Sequence, residues 1–362
     1  MAGIFGSIGG WSMGFDHTTA RLDCLTGYDG SSGLMNIQTQ WARYAAPTGA
    51  TSMGLQAAPS GTNDYGHLTL GTQLINCISG IAVNFSAFPA SGNAFFYQYY
   101  DSVGAAGQVT FCVNSNGKLV MTRGATNGTV LATGTTTLLT NTWYYVEPKC
   151  KIDPTTGIAE IRLNGSVEAT FSGNTRNTAN TWTDLIYIGS TTSNVSILFD
   201  DWYILDTTAA SPNNTYLGDK REVYFPANAD SATAGLNQWS TSPNQSAGSH
   251  YLNVNSVPGT GANYNFDANP GDRESYRHAS LPGLTAGISW TTVRNKFEKD
   301  DAGSRSCALT MRSGTTDSVG PTISSPSSYS FANKIDLVDP STGAAWTPGG
   351  VNNNEPGHQV IS

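Results

Sequence analysis

Trp143-Tyr144-Tyr145-Val146-Glu147-Pro148-Lys149-Cys150-Lys151-Ile152, followed by Asp153-Pro154-Thr155-Thr156-Gly157, is the stretch from which the rest of the chain is read. Tyr144, Val146, Cys150 and Ile152 fall on one side of a period-two pattern, and Trp143, Tyr145, Glu147, Lys149 and Lys151 on the other. Such alternation is a β-strand with one polar face. Pro148 has no N–H for a ladder, which predicts an edge strand or a bulge. Asp153 to Gly157 supplies a fixed φ, a side-chain acceptor and a glycine free to take positive φ, so the chain reverses there.

Two strands follow, with Ala159, Ile161 and Leu163 inward on one and Val167, Ala169 and Phe171 inward on the next, joined at Asn164-Gly165. A bare two-residue turn would set Ile161 against Glu168, core against solvent. The pattern therefore predicts a three-residue loop or a bulge, with Gly165 left-handed, and it leaves Glu160 on the solvent face. Leu185 to Gly189 and Ser196 to Leu205 are the next strands. The second is apolar on both faces, as a covered central strand is.

Taken in order, the Trp-Tyr strand, the Asn-Gly hairpin and the closing Phe199-Asp200-Asp201-Trp202-Tyr203 strand resemble the concanavalin A-like lectin/glucanase superfamily in its laminin-G-like form, from Leu68 to Asp206. The resemblance implies a jelly-roll sandwich. Upstream, Leu68-Thr69-Leu70, Ile81 to Phe85, Phe95 to Tyr100, Val109 to Val113 and Leu119 to Thr122 read as further short strands, with a second hairpin at Asn116-Gly117.

Composition agrees with an all-β chain. Of 362 residues only 12% are charged, and Gly, Ser, Thr and Asn abound. No long amphipathic helix is visible. A net charge of -8 without clustered Lys and Arg argues against nucleic acid and against an anionic membrane surface. No stretch has the apolar length of a spanning helix, and the start lacks a basic, then apolar, leader; the expectation is a soluble chain that is not conventionally secreted. Cys24, Cys77, Cys112, Cys150 and Cys307 lie far apart without a C-x-x-C pair, which reads as buried thiols rather than a zinc site.

The expected organisation is a glycine-rich arm over 1–20, a laminin-G/concanavalin A-like sandwich over 21–206, a small polar linker over 207–218 and a second β-sandwich over 219–362. In the second domain, Arg221 to Phe225, His250 to Val254, Glu274 to His278, Thr291 to Glu298, Cys307 to Arg312 and Ser328 to Phe331 read as strands. Ile4, Phe5, Trp11 and Phe15 make the arm mildly apolar: it either anchors on a partner or is a first strand plus loop. A laminin-G-like sandwich followed by a β-domain with Lys299-Asp300-Asp301-Ala302-Gly303-Ser304-Arg305 and Thr342-Gly343-Ala344-Ala345-Trp346-Thr347 is similar to a group of tailed-bacteriophage virion proteins.

That second resemblance implies a structural component of a phage particle, located in the virion. Its partners would be other virion proteins and copies of itself, often as trimers. A lectin-like module that contacts host surface glycans is the alternative, with Tyr97, Tyr99 and Tyr100 as candidates to stack on sugar rings, although aromatics at these positions also fill cores. Glycoside hydrolysis needs two carboxylates a few ångströms apart. The glucanase branch carries them as Glu-x-Asp-x-x-Glu, which this chain lacks. Asp200 and Asp201, adjacent on a strand, are expected to point to opposite faces and so not to form a dyad. Either one is a candidate Ca²⁺ ligand, or else a carboxylate that accepts backbone N–H bonds; no other cofactor is implied. His17, His67, His250, His278 and His358 show no ligand spacing and read as surface residues.

Overall fold

A computed structural model of the chain describes residues 27–29, 35–38, 41–45, 54–59, 64–207, 214–243, 248–255, 263–281 and 287–362. They divide into two compact units, with the change from one to the other between Glu222 and Val223.

The first unit is a jelly-roll sandwich of antiparallel sheets. In chain order its strands are β1 (Gly27–Asp29), β2 (Asn36–Gln38), β3 (Gly54–Ala57), β4 (Asp64–Leu74), β5 (Asn76–Phe85), β6 (Asn93–Asp101), β7 (Ala106–Asn114), β8 (Leu119–Arg123), β9 (Thr129–Thr133), β10 (Trp143–Lys151), β11 (Gly157–Leu163), β12 (Ser166–Gly173), β13 (Thr183–Ser190) and β14 (Ile197–Asp206). Among the described residues one sheet runs β1-β4-β13-β6-β7-β8-β9 and the other β12-β11-β10-β5-β14-β3-β2. Because β4, β5, β13 and β14 alternate between sheets, the chain crosses from layer to layer and stitches them together. Between the layers Phe85 meets Phe96 edge to face, and Tyr97 meets both Phe111 and Trp202. Ile81, Val83, Val146, Ile186, Ile188 and Phe199 complete a dry interior.

The Asn164-Gly165 hairpin keeps its two-residue turn, with φ of 49° and 84°. Leu163 opposes Ser166, and the register then slips so that Ile161 faces Ala169. A bulge at Glu168 thus removes the predicted clash; the three-residue loop does not form. A Cβ on Gly165 would meet nothing within 4 Å. Gly165→Ala should therefore cost only the strain of a left-handed residue, about 1 kcal/mol, read as a small fall in urea midpoint.

Pro148 departs from expectation. Strand β10 is neither an edge nor bulged: it lies between β5 and β11. Pairing with β11 is continuous, while pairing with β5 lapses at Glu147 and Pro148 and resumes at Lys149. The missing donor is tolerated by a local gap, and the Pro148 carbonyl accepts instead from the Tyr99 hydroxyl at 3.0 Å.

The second unit contains β15 (Ala227–Asp230), β16 (Ser240–Ser242), β17 (Tyr264–Phe266), β18 (Arg273–His278), β19 (Thr291–Phe297), β20 (Ser306–Ser313), β21 (Thr316–Val319), β22 (Ile323–Ser324), β23 (Ser330–Asp336), the short helix α1 (Pro348–Asn352) and β24 (Asn354–Val360). Its main sheet runs β15-β18-β24-β20-β21, with β22 also paired to β20; β19-β23 and β16-β17 are two-stranded ribbons. Val293, Leu309, Met311, Trp346 and Val351 pack together as its apolar core. Two expected strands are absent: residues 250–253 form a 3-10 turn, and no strand runs from Arg221 to Phe225.

Candidate functional site

The described part of the segment read as a linker, from Asn214 on, belongs to the first unit. The Tyr203 hydroxyl and the Gly218 N–H both donate to Glu147 Oε1, at 2.5 and 2.8 Å, and the Leu217 N–H donates to the Tyr203 oxygen. The Arg162 guanidinium lies 3.7 Å from the centre of the Tyr216 ring and bonds Glu160 at 2.9 Å. The face assigned to solvent is therefore covered along part of its length, and Glu147 is buried.

On the same face the two acidic residues of β14 meet. Pairing with β5 slips between Asp200 and Tyr203, and Asp201 takes a φ of 51°. This bulge overturns the opposite-face expectation, which assumed an unbroken pleat. Asp200 Oδ2 accepts the Arg43 N–H at 2.8 Å and its Oδ1 accepts the Asp201 N–H at 2.9 Å. Asp201 Oδ1 accepts the Glu222 N–H at 2.8 Å, while its Oδ2 faces Arg43 Nη1 at 3.5 Å. Arg43 reaches on to Asp219 with two parallel bonds of 2.6 and 2.5 Å.

Burial raises both Asp200 and Asp201 well above the carboxylate range, and mutual repulsion adds to the rise at Asp200. All four oxygens accept from the chain's own donors, the arrangement of a carboxylate that ties loops to a sheet. The Arg43 guanidinium also lies over Tyr44 and Tyr145, at 4.8 and 5.3 Å. Arg221 stands 4.8 Å from the same Tyr44 ring and donates to the Ala45 carbonyl at 2.5 Å. The result binds residues 41–45 and 214–222 to the sandwich.

The three tyrosines proposed for sugar stacking are split. Tyr97 and Tyr99 are fully buried between the sheets, with hydroxyls on Ser79, so they are core residues and offer no face to a ligand. Tyr100 points the other way, into an aromatic cluster on the outer side of the β4-β13-β6-β7-β8 sheet with Tyr65, Phe95 and Tyr187. Tyr187 is its hub, with ring centres 4.7 Å from Tyr100 and 5.3 Å from Tyr65. Sequence reading missed Tyr65 and Tyr187, although the period-two runs Tyr65-x-His67 and Leu185-x-Tyr187 carried the signal. Ile4, Phe5, Trp11 and Phe15 lie outside the described residues.

In the second unit a polar cluster sits on the sheet. The fully buried Glu274 accepts the Trp239 N–H at 3.0 Å and pairs with His250 Nδ1 at 2.9 Å, while Asp230 accepts the N–H groups of His250 and Tyr251. Burial raises the Glu274 carboxyl, against the pull of His250. His358 is buried too, which corrects its reading as a surface residue. Its ring lies 4.1 Å from Trp239 and its Nδ1 meets the Asn295 amide at 3.1 Å.

Desolvation lowers the His358 imidazole to about 4. A group depressed on folding stabilises above its unfolded pKa and loses that contribution as pH falls through the folded one. His358 should therefore withdraw about 3 kcal/mol between pH 6.5 and 4. Glu274, raised by burial to about 7, acts in the opposite sense, its contribution being present in acid and lost as pH climbs from about 4.5 to about 7. Comparing the acid unfolding of the parent with that of His358→Gln isolates the histidine, and the variant should lack its share of the slope.

No family model matches the chain, and no curated protein matches it. Solved structures do. A protein described as cellulose induced protein, Cip1, aligns at 19% identity and a TM-score of 0.39 over 57% of this chain and 96% of that one. An endo-β-1,4-glucuronan lyase from the fungus Trichoderma reesei aligns at 12% identity and a TM-score of 0.39 over 55% and 95%. An alginate lyase in complex with an alginate tetrasaccharide aligns at 12% identity and a TM-score of 0.30 over 43% and 83%. What this chain shares with them is β-sandwich architecture.

Proposed function

We propose that the chain is a structural protein of a bacteriophage particle, exposed on its head, neck or tail, which works by contact and not by catalysis. The observation that supports this best is the use made of the charged groups in the first unit. Arg43, Asp200, Asp201 and Glu147 hold two surface segments against the sheet, so that the groups with the strongest electrostatics make a stiff body rather than a reactive cleft. The sequence similarity at Lys299–Arg305 and Thr342–Thr347 supplies the setting, and partners would be other virion proteins together with further copies of the chain. Cryo-electron microscopy of purified particles tests the reading. Repeated copies of both units in ordered density would support it, and particles that lack the chain by mass spectrometry would overturn it.

A lectin-like role is the second reading, favoured by Tyr65 and Tyr100, two half-buried rings packed against the buried Tyr187. Aromatic rings on a sheet face suit the C–H faces of pyranoses. Binding of one sugar class on a glycan array, weakened about tenfold or more by Tyr100→Ala, is its expected signature. An unchanged array profile in that variant would remove the cluster from consideration.

A further inference from the structure

The main sheet of the second unit carries a polar cluster on the face opposite to Glu274 and His358. In its register Arg273 stands across from Gln359 and Ala308, while Asp317 stands across from Arg312, four residues further along β20. In a flat sheet Arg273 and Asp317 would be roughly 20 Å apart, three strand spacings sideways and four residues along. Yet Arg273 Nη1 donates to Asp317 Oδ2 at 2.7 Å, and Arg312 Nη1 donates to Oδ1 of the same carboxylate at 2.9 Å. The sheet therefore curls, and these side chains lie on its concave side. The bridge uses one nitrogen of each guanidinium. Among the described residues, the buried Nε of both arginines finds no acceptor, and neither Nη2 is bonded. Nε and Nη2 together are the edge with which an arginine grips an oxyanion through two parallel bonds. Thr310, 1% exposed, lies on the same face in the row between the two arginines, and its hydroxyl is also without a partner. Buried polar groups are as a rule satisfied. Three unmet groups on one concave surface, each able to donate, mark a missing acceptor.

We infer that this concavity binds a small-molecule carboxylate, gripped by the free edges of Arg273 and Arg312 with the Thr310 hydroxyl as a third donor. Charge selects the class of ligand. Two arginines against Asp317 leave one positive charge over. Glu355, in the row of Arg312 on β24, accepts the Ser231 and Thr233 hydroxyls at 2.8 and 3.0 Å and, among the described residues, makes no ion pair with either arginine. A monoanion cancels the surplus, whereas a phosphate dianion would overshoot it beside Glu355. The arginine side chains are 16% and 18% exposed, which leaves an approach from solvent. The inference stands on the second unit alone and goes beyond the particle reading, since absence from a particle would leave the site intact.

Titration of the full chain with sodium acetate, followed by NMR at the arginine Nε–H signals, should move two of them saturably, while sodium chloride at equal ionic strength moves neither. Arg312→Lys keeps the charge and loses the gripping edge, so it should bind acetate about tenfold or more weakly. Thr310→Val supplies a second variant with a sign of its own. A buried hydroxyl without a partner costs stability, so the variant should melt no lower than the parent in the absence of acetate, yet bind acetate more weakly. The absence of a saturable shift overturns the inference, as does chloride acting like acetate or inorganic phosphate binding more tightly. So does either variant binding acetate as the parent does, or a Thr310→Val that melts well below the parent, which would show the hydroxyl already satisfied within the chain.

Discussion

Arg43→Ala should destabilise the first unit by about 3–5 kcal/mol, the cost of leaving a buried charge without its partner. Two arms of the arginine have to be weighed. The Asp219 side chain is 46% exposed, and a pair of that kind is worth at most about 1 kcal/mol despite two short bonds. Asp201 is 3% exposed, so the longer contact at 3.5 Å carries more of the effect. Burial already raises Asp200 and Asp201. Without the guanidinium they rise further. A carboxylate raised on folding contributes stability that is present in acid and is lost as pH climbs through its folded value. The deficit of the variant should therefore be larger at about pH 8 than at about pH 5, and adding Asp201→Asn should return part of it. Urea unfolding at both pH values checks this. An equal deficit at each would show that lost packing on Tyr44 and Tyr145, not charge, is responsible.

Trp202→Ala should cost a similar 3–5 kcal/mol, with no pH dependence, because it opens a cavity in a part of the core that cannot collapse. Trp202 is 1% exposed and meets Tyr97 at right angles with ring centres 6.0 Å apart. Tyr97 and Tyr99 are fixed by their hydroxyls on Ser79, and Tyr99 also by the Pro148 carbonyl, so neither can swing into the space. Trp202→Phe, which leaves a smaller void, should lose less than half as much. A urea midpoint that falls in that order, with an unchanged slope, is the expected result. Equal loss in both variants would point to the indole nitrogen and not to volume.

These two sites also show what a single chain reveals about its fold. The Asn164-Gly165 hairpin was legible because its determinants are local: two residues suited to positive φ, and a core pattern that forbids one register. Trp202 was legible as covered, since Ser196 to Leu205 is apolar on both faces. The meeting of Asp200 and Asp201 was not. It depends on a slip in pairing against β5, whose Ala82 and Gly80 lie far back in the chain, and on a left-handed Asp201. Arg43 carried no signal at all, because an isolated arginine in a loop is ordinary until the bulge places two carboxylates beneath it. Tyr97 and Tyr99 part from Tyr100 as period-two alternation requires, whereas the bulge of β6 against β7 at Phe95/Tyr97 moves Phe95 off the face of Tyr97 and into the cluster with Tyr100, which alternation alone misassigns. Pro148 was legible as a missing donor, but not the gap between β10 and β5 that accommodates it.

The polar stretch after Asp206 looks like the natural place to cut the molecule in two. It is the wrong one. A recombinant fragment that stopped there would strip Glu147 of the Gly218 amide, Asp201 of the Glu222 amide and Arg43 of Asp219. Such a fragment should express poorly and be nicked by protease near residues 41–45, whereas one extended through Glu222 should survive the same digestion. Anyone dissecting the protein will find that the piece to purify is set by three hydrogen-bonded residues and not by where the composition changes.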